Sequence, residues 1–100
     1  MAFQRVGSLG SLPAGSMLEV DDGEKRIAVC NVGGALHAID GTCPHQGGQL
    51  AYGALHGTTV VCPWHAWEFD CVSGEYAGSS RLKLRKYDVR VEGDDILVDY

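Results

Sequence analysis

The sequence lacks the features of membrane proteins and nucleic-acid-binding proteins. No apolar run approaches about 18 residues, so no membrane-spanning helix is encoded, and the N-terminal segment contains no signal-peptide core. Basic residues are scarce: 8 lysines and arginines against 13 acidic residues give a net charge of −5, which argues against nucleic acid as a partner. We therefore expect a cytoplasmic protein that binds neither membranes nor nucleic acid.

Sustained helical periodicity is also lacking. Short strand-like runs recur instead, and tight-turn signals separate them, most clearly DDGE (21–24) and EGDD (92–95). These signals predict two hairpins, with strands at 16–20 and 25–32 and at 82–91 and 95–100. A chain of 100 residues makes one domain. We therefore expect residues 1–100 to form a single all-β sandwich or barrel.

Cysteine is scarce as well, and two of the four cysteines fall in matching motifs. The motif CPHQ contains Cys43 and His45, and CPWH contains Cys62 and His65. Thiolates and imidazoles are ligands that both iron and zinc accept. A zinc ion held by two cysteines and two histidines usually has them grouped as Cys-Cys and His-His. Because each motif here mixes one Cys with one His, two metals bridged by both motifs suit the spacing better than one zinc.

The full pattern, C-P-H-x(16)-C-P-W-H, resembles the signature of Rieske iron–sulfur proteins. The likeness extends over the whole chain, through the glycine-rich segment 41–57 to the closing YDVRVEGDDILVDY. It is greatest to the small ferredoxins that feed electrons to bacterial ring-hydroxylating dioxygenases and related oxygenases of aromatic hydrocarbon catabolism. The resemblance implies an antiparallel β-sandwich into which a small cluster-binding part, at about 41–78, is inserted.

The resemblance also implies one [2Fe–2S] cluster, with Cys43 and Cys62 on one iron and His45 and His65 on the other. Neutral imidazoles in place of two thiolates make the oxidised cluster less negative, so it accepts an electron more readily than a four-cysteine cluster. The implied partners are a flavin-dependent ferredoxin reductase and a terminal oxygenase. The chain itself is expected to be a monomeric electron carrier and not an enzyme.

The sequence departs from the Rieske proteins of quinol-oxidising complexes at four positions. Gly48 and Trp64 stand where those proteins have two disulfide-bonded cysteines, so that disulfide cannot form. Trp67 and Phe69 stand where they have a serine and a tyrosine, whose hydroxyls stabilise the reduced cluster. The segment 77–86 contains no proline, unlike the segment that covers the cluster in many relatives.

The other conspicuous residues have structural interpretations. We expect His37 to be a strand residue and His56 a loop residue, neither of them a ligand. Cys30 and Cys71 are expected to be buried thiols. Trp64 is expected to pack beneath the cluster loops.

Two alternative functions remain open from the sequence. One is the small subunit of an assimilatory nitrite reductase, which shares the fold. The other is a zinc-stapled binding module without redox activity, which would be colourless where a Rieske protein is red-brown.

The acidic surface suggests how partners dock. Its exposed carboxylates, which include Asp21, Asp22, Asp94 and Asp95, would suit a partner with a basic patch. On that hypothesis, rising salt slows electron transfer from the reductase.

The departures at Trp67 and Phe69 predict a midpoint potential of about −150 to −100 mV, the low end of the Rieske range. Fewer hydroxyl donors to the cluster leave its reduced form less stabilised, and the imidazoles keep their outer protons at neutral pH. Voltammetry is therefore expected to show a potential nearly independent of pH around neutrality, and the double substitution Trp67→Ser with Phe69→Tyr is expected to raise it. A midpoint above zero in the unaltered protein would contradict this.

Overall fold

The structure is a computed structural model that describes residues 2–44, 47–64 and 66–100, with only the backbone of Ser80. Within these ranges the chain forms twelve strands in three antiparallel sheets, together with 3₁₀ helices at Leu9–Ser11 and Leu50–Tyr52. The strands are β1 (Phe3–Ser8), β2 (Met17–Asp21), β3 (Arg26–Val32), β4 (Ala35–Asp40), β5 (Ala54–His56), β6 (Thr59–Val61), β7 (Glu68–Asp70), β8 (Glu75–Tyr76), β9 (Ser79–Lys83), β10 (Lys86–Tyr87), β11 (Val89–Glu92) and β12 (Asp95–Asp99). The expected all-β class is confirmed.

The four-stranded sheet, in the order β10-β4-β3-β2, contributes to both hydrophobic cores. Strand β3 shows this most clearly, because its side chains alternate between the two cores. Ile27 and Val29 pack with residues of the three-stranded sheet β1-β12-β11, such as Ile96. Ala28 and Cys30 pack with residues of the five-stranded sheet β5-β6-β7-β8-β9. A strand buried on both faces needs apolar residues at every position, which explains the unbroken run IAVC.

Both predicted hairpins form. In the first, Asp22 closes the turn by accepting hydrogen bonds from the backbone N–H groups of Glu24 (3.0 Å) and Lys25 (2.7 Å). Gly23 adopts φ +91°, a conformation that glycine reaches without steric cost. In the second hairpin, β11 pairs with β12 and Gly93 has φ +63°. These turns fix the register of the strands they join.

The run 82–91 was predicted to form one strand, and this is wrong. The structure divides it among three sheets: its start belongs to β9, its middle to β10 and its end to β11. The chain changes sheet at Arg85, whose backbone N–H donates to Asp40 Oδ2 (3.1 Å) and whose carbonyl accepts from the Asp40 N–H (2.9 Å). Alternating patterns look alike in all three sheets, so the sequence contains no signal for these two transfers.

The sequence also did not predict strands β5 and β8 or the two 3₁₀ helices, each of which has three residues or fewer. Two or three residues are too few for a strand or helix pattern to repeat and be recognised. Among the described residues, no helix is long and apolar enough to cross a membrane.

The cross-strand pair Ile96 and Val91 offers a matched test of the core between the three- and four-stranded sheets. Ile96 is fully buried, whereas Val91 is 42% exposed. Ile96→Ala is expected to cost about 2–5 kcal/mol, which would lower the urea midpoint by roughly 1 M or more. Val91→Ala, the control, is expected to change stability by less than about 0.5 kcal/mol. Equal midpoints for the two variants would contradict the assigned packing.

Candidate metal centre

Two cysteines from separate loops meet in the core between the four- and five-stranded sheets. Cys43 follows β4 and Cys62 follows β6, and both are 1% exposed. Their thiols lie within hydrogen-bonding contact of each other, and neither forms a disulfide. The structure thus brings together the two predicted cysteine ligands, which are 19 positions apart in the sequence. The two predicted histidine ligands, His45 and His65, lie outside the described residues.

The first loop is closed at its base by backbone hydrogen bonds. An isolated β-bridge joins Thr42 to Gln49. Inside it, the Cys43 N–H donates to the Gly48 carbonyl and the Gly47 N–H donates to the Cys43 carbonyl, both at 2.8 Å. Gly47 has φ +75°, a backbone conformation that disfavours most other residues. These contacts fix the position of Cys43 at the base of the loop.

The second loop is a hairpin end between β6 and β7. The Cys62 N–H donates to the Trp67 carbonyl at 2.7 Å, which closes the loop. Within it, the Trp64 N–H points at Cys62 Sγ, 3.4 Å away. Ala66 has φ +58°, and it is the one described non-glycine residue with a positive φ. Such strain in a ligand loop indicates that the surrounding contacts impose its shape.

The surroundings of the Cys62 thiol shift its pKa in opposite directions. Burial raises its pKa, and the neighbouring Cys43 thiol adds to this, while the Trp64 N–H lowers it. Metal binding requires the thiolate and therefore releases a proton. The N–H directed at Cys62 Sγ favours the thiolate, as hydrogen bonds to cluster-ligating sulfur do.

Gly48 marks the point of closest approach between the two loops. A Cβ atom at this position would lie 2.5 Å from Trp64 Cδ1 and 2.9 Å from Cys62 Sγ, so only glycine fits. The glycine cradle, the paired sulfurs and the N–H directed at sulfur are together suited to a thiolate-ligated cluster. The expectation that Trp64 packs beneath the loops is wrong, because it is 56% exposed while one edge of its ring faces Gly48.

A half-buried ion pair on the four-stranded sheet holds the base of the first loop. Arg26 Nε lies 3.1 Å from Glu19 Oε1, and Arg26 also reaches Thr42 Oγ1 at 3.5 Å. Glu19 accepts hydrogen bonds from Gln49 Nε2 at 3.2 and 3.3 Å, and also bonds Tyr52. Sequence analysis missed this clamp, since neither the charge pattern nor the spacing of these residues signals it.

Aromatic stacking anchors the second loop. The Trp67 and Tyr76 rings stack with centroids 4.5 Å apart at 19°, and Phe69 lies 5.5 Å from Tyr76. Phe69 is fully buried in the same cluster as Cys43 and Cys62. Sequence analysis did not single out Tyr76, whose role depends on the pairing of β7 with β8.

The other two cysteines lie together away from solvent, as expected for buried thiols. Cys30 on β3 and Cys71 after β7 are both fully buried and their thiols are in contact. Burial raises the pKa of both thiols. His37 is half-buried on β4, as expected for a strand residue. His56 is the exposed last residue of β5, so the expectation that it lies in a loop is wrong.

The cradle at Gly48 predicts that Gly48→Ala will separate the loops and reduce the iron bound per chain. Gly10→Ala is the control, because its Cβ would lie no closer than 3.6 Å to Asp94. Adding Trp64→Ala to Gly48→Ala is expected to restore part of the iron, since it removes one of the two close contacts. Iron and acid-labile sulfide analysis measures both, and full iron content in Gly48→Ala would contradict the described contact.

The comparisons with known proteins agree with this geometry. A family model for the Rieske [2Fe-2S] domain matches residues 2–88. The chain is 40% identical over 101 residues to the biphenyl 2,3-dioxygenase ferredoxin component of Rhodococcus jostii strain RHA1, covering 99% of this chain and 94% of that protein.

Solved structures show the same relationship. The ferredoxin of carbazole 1,9a-dioxygenase from Nocardioides aromaticivorans IC177 superposes with a TM-score of 0.87 at 32% identity, covering 98% of this chain and 97% of that one. A chain in a complex of reduced oxygenase and oxidised ferredoxin of carbazole 1,9a-dioxygenase also gives 0.87, at 28% identity over 96% of this chain and 91% of that one. The chain therefore belongs to the Rieske [2Fe-2S] domain family, as a ferredoxin-type electron carrier with one [2Fe–2S] cluster.

Proposed function

We propose that this ferredoxin carries single electrons from a flavin-dependent reductase to the terminal oxygenase of an aromatic ring-hydroxylating system. The observation that carries the proposal is the paired Cys43 and Cys62 in a glycine cradle, within a chain similar over nearly its whole length to a dioxygenase ferredoxin. When bound, the cluster supplies reversible one-electron chemistry. The protein holds the cluster, tunes its reduction potential and presents it to the two partners.

In this proposal Cys43 and Cys62 ligate one iron, and His45 and His65 ligate the other. The buried cysteines form the inner end of the site. The Trp64 N–H directed at Cys62 Sγ stabilises negative charge there, which favours the reduced form. The two histidine ligands follow the cysteines by two and three residues in the sequence. Electrons would leave the cluster through these histidines. The cluster-binding part would be about 41–78, within the single domain 1–100.

Both ligand loops have exposed apolar side chains that are suited to close packing against a partner protein. Pro44 and Pro63 are exposed next to the two cysteines, and Trp64 and Ala66 are exposed in the second loop. Apolar side chains at the centre of a docking surface exclude water when a partner binds. The redox groups then approach each other without the burial of charged side chains, which would cost free energy. In this proposal the protein is monomeric and cytoplasmic, and it binds one partner at a time.

Reconstitution tests this function. The wild-type ferredoxin is expected to be reduced by a flavoprotein reductase with NADH and to support hydroxylation of an aromatic hydrocarbon by a terminal oxygenase. Omitting it should abolish the hydroxylated product. If it delivers electrons to a nitrite reductase and to no oxygenase, the alternative role as a nitrite reductase small subunit replaces the proposal.

The ligand assignment predicts that His65→Cys keeps a two-iron cluster and lowers its midpoint potential, because an anionic thiolate replaces a neutral imidazole. His56→Cys, outside the proposed ligand set, is the control and is expected to leave the potential unchanged. Voltammetry and iron analysis measure both variants. An unchanged potential in a His65→Cys protein that still holds two irons would show that His65 is not a ligand.

A further inference from the structure

Glu19 on β2 is a nearly buried carboxylate that lies outside both ligand loops. Its side chain is 10% exposed, whereas the side chain of Asp21, on the same strand, is 43% exposed. Burying a carboxylate costs free energy unless hydrogen-bond donors or a cation compensate its charge. The groups that contact Glu19 therefore identify what this carboxylate holds in place.

Two of these groups belong to the end of the first ligand loop and the 3₁₀ helix that follows it. Gln49 Nε2 lies 3.3 Å from Oε1 and 3.2 Å from Oε2 of Glu19, and donates a hydrogen bond to the carboxylate. The Tyr52 hydroxyl is also hydrogen-bonded to Glu19. The Tyr52 N–H donates to the Gln49 carbonyl at 3.1 Å, which links the two donors to each other.

Arg26 connects the same carboxylate to the start of the loop. Arg26 Nε lies 3.1 Å from Glu19 Oε1 in an ion pair that lacks hydrogen-bond geometry, and Nη1 lies 3.5 Å from Thr42 Oγ1. Gly41, one residue before Thr42, donates its N–H to the Arg26 carbonyl at 2.8 Å. A Cβ atom on Gly41 would lie 2.8 Å from Arg26 Cγ, so the start of the loop lies directly against Arg26.

Both ends of the first loop thus depend on one side chain. Thr42 immediately precedes Cys43, and Gln49 immediately follows Gly48, whose carbonyl accepts the Cys43 N–H. Loss of the Glu19 carboxylate would release Gln49 directly and Thr42 through Arg26. Leu50, the next residue along the chain, is fully buried and would keep the segment attached to the core. The loop is therefore expected to loosen while the protein stays folded.

We infer that Glu19 is a positioning residue for the metal centre, whose carboxylate sets the geometry of the first ligand loop and thereby of the [2Fe–2S] cluster. The inference rests on the ligand assignment in the proposed function, in which this loop carries Cys43 and His45. Groups that hydrogen-bond the surroundings of metal ligands fix the orientation of those ligands and tune the metal. Glu19 does this from a separate strand, through Gln49 and Arg26.

A stabilising role for Glu19 is the alternative, because its ion pair with Arg26 also joins β2 to β3. Asp21 is a matched control for this role: it lies on the same strand, carries the same charge and also pairs with Arg26, 3.4 Å from Nη2. Ile96 is a second control, for global stability, because it is fully buried in the core on the other face of the four-stranded sheet.

The test compares Glu19→Ala with Asp21→Ala and Ile96→Ala in the cluster-loaded protein. Glu19→Ala is expected to release iron to a chelator about tenfold faster than Asp21→Ala, since a hydrogen bond to a charged group contributes at least that factor. Electron paramagnetic resonance of the reduced cluster is expected to show shifted g values in Glu19→Ala and wild-type g values in Asp21→Ala. Ile96→Ala is expected to lower the urea midpoint and to leave the g values unchanged.

Gln49→Met is the reciprocal variant, because it keeps the length of the side chain and removes the donor to Glu19. It is expected to shift the g values in the same way as Glu19→Ala. Combining the two substitutions should add little, because both act through the same contact. Glu19→Gln keeps one acceptor oxygen, so it is expected to lie between wild type and Glu19→Ala, and it replaces that variant if Glu19→Ala does not fold.

Wild-type g values in both Glu19→Ala and Gln49→Met would overturn the inference. Equal iron release from Glu19→Ala and Asp21→Ala would also overturn it, as would release rates that follow the urea midpoint in every variant, Ile96→Ala included. Either result would assign Glu19 a stabilising role only. Because no partner protein enters these measurements, a failure to exchange electrons with a reductase or an oxygenase would overturn the proposed function and leave this inference standing.

Discussion

The architecture depends on one close approach, in which two loops from different parts of the chain put Cys43 and Cys62 against each other. Gly48 makes this possible, because any side chain there would collide with Trp64 and Cys62 Sγ. Backbone hydrogen bonds close each loop at its base, so the positions of the two cysteines follow from the sheets that carry the loops. The first loop is tied through Thr42 and Gln49 to the Glu19–Arg26 pair. The second extends from a sheet whose core includes Phe69.

The double-sided burial of β3 explains how a small chain holds such a site rigidly. One face of the strand supports the core shared with β1 and β12, and the other supports the core that contains both cysteines. The metal centre is therefore separated from the three-stranded sheet by a fully buried layer. Cys30 contributes to that layer as a buried thiol, and its burial raises its pKa.

Features of the fold and of the site that have a local sequence signal could be predicted. The turn DDGE identified the β2–β3 hairpin, and the two Cys-His motifs identified the ligand loops, because each signal lies within a few consecutive residues. The division of 82–91 among three sheets could not be predicted, since it depends on hydrogen bonds that the Arg85 backbone forms with the side chain and the N–H of Asp40. The clamp around Glu19 was missed for the same reason, as its partner Gln49 is 30 positions away. The exposure of Trp64 depends on how the loops meet, which no local pattern encodes.

The central claim is that two cysteines and two histidines hold a [2Fe–2S] cluster between these loops, and pulsed electron paramagnetic resonance of the reduced protein tests it most directly. With ¹⁵N-labelled histidine incorporated, the spectrum is expected to show two strong nitrogen couplings. One of them should disappear in His45→Cys and the other in His65→Cys, while His37→Asn and His56→Asn retain both. A reduced cluster coupled to no histidine nitrogen, or couplings lost in the His37 or His56 variant, would contradict the account.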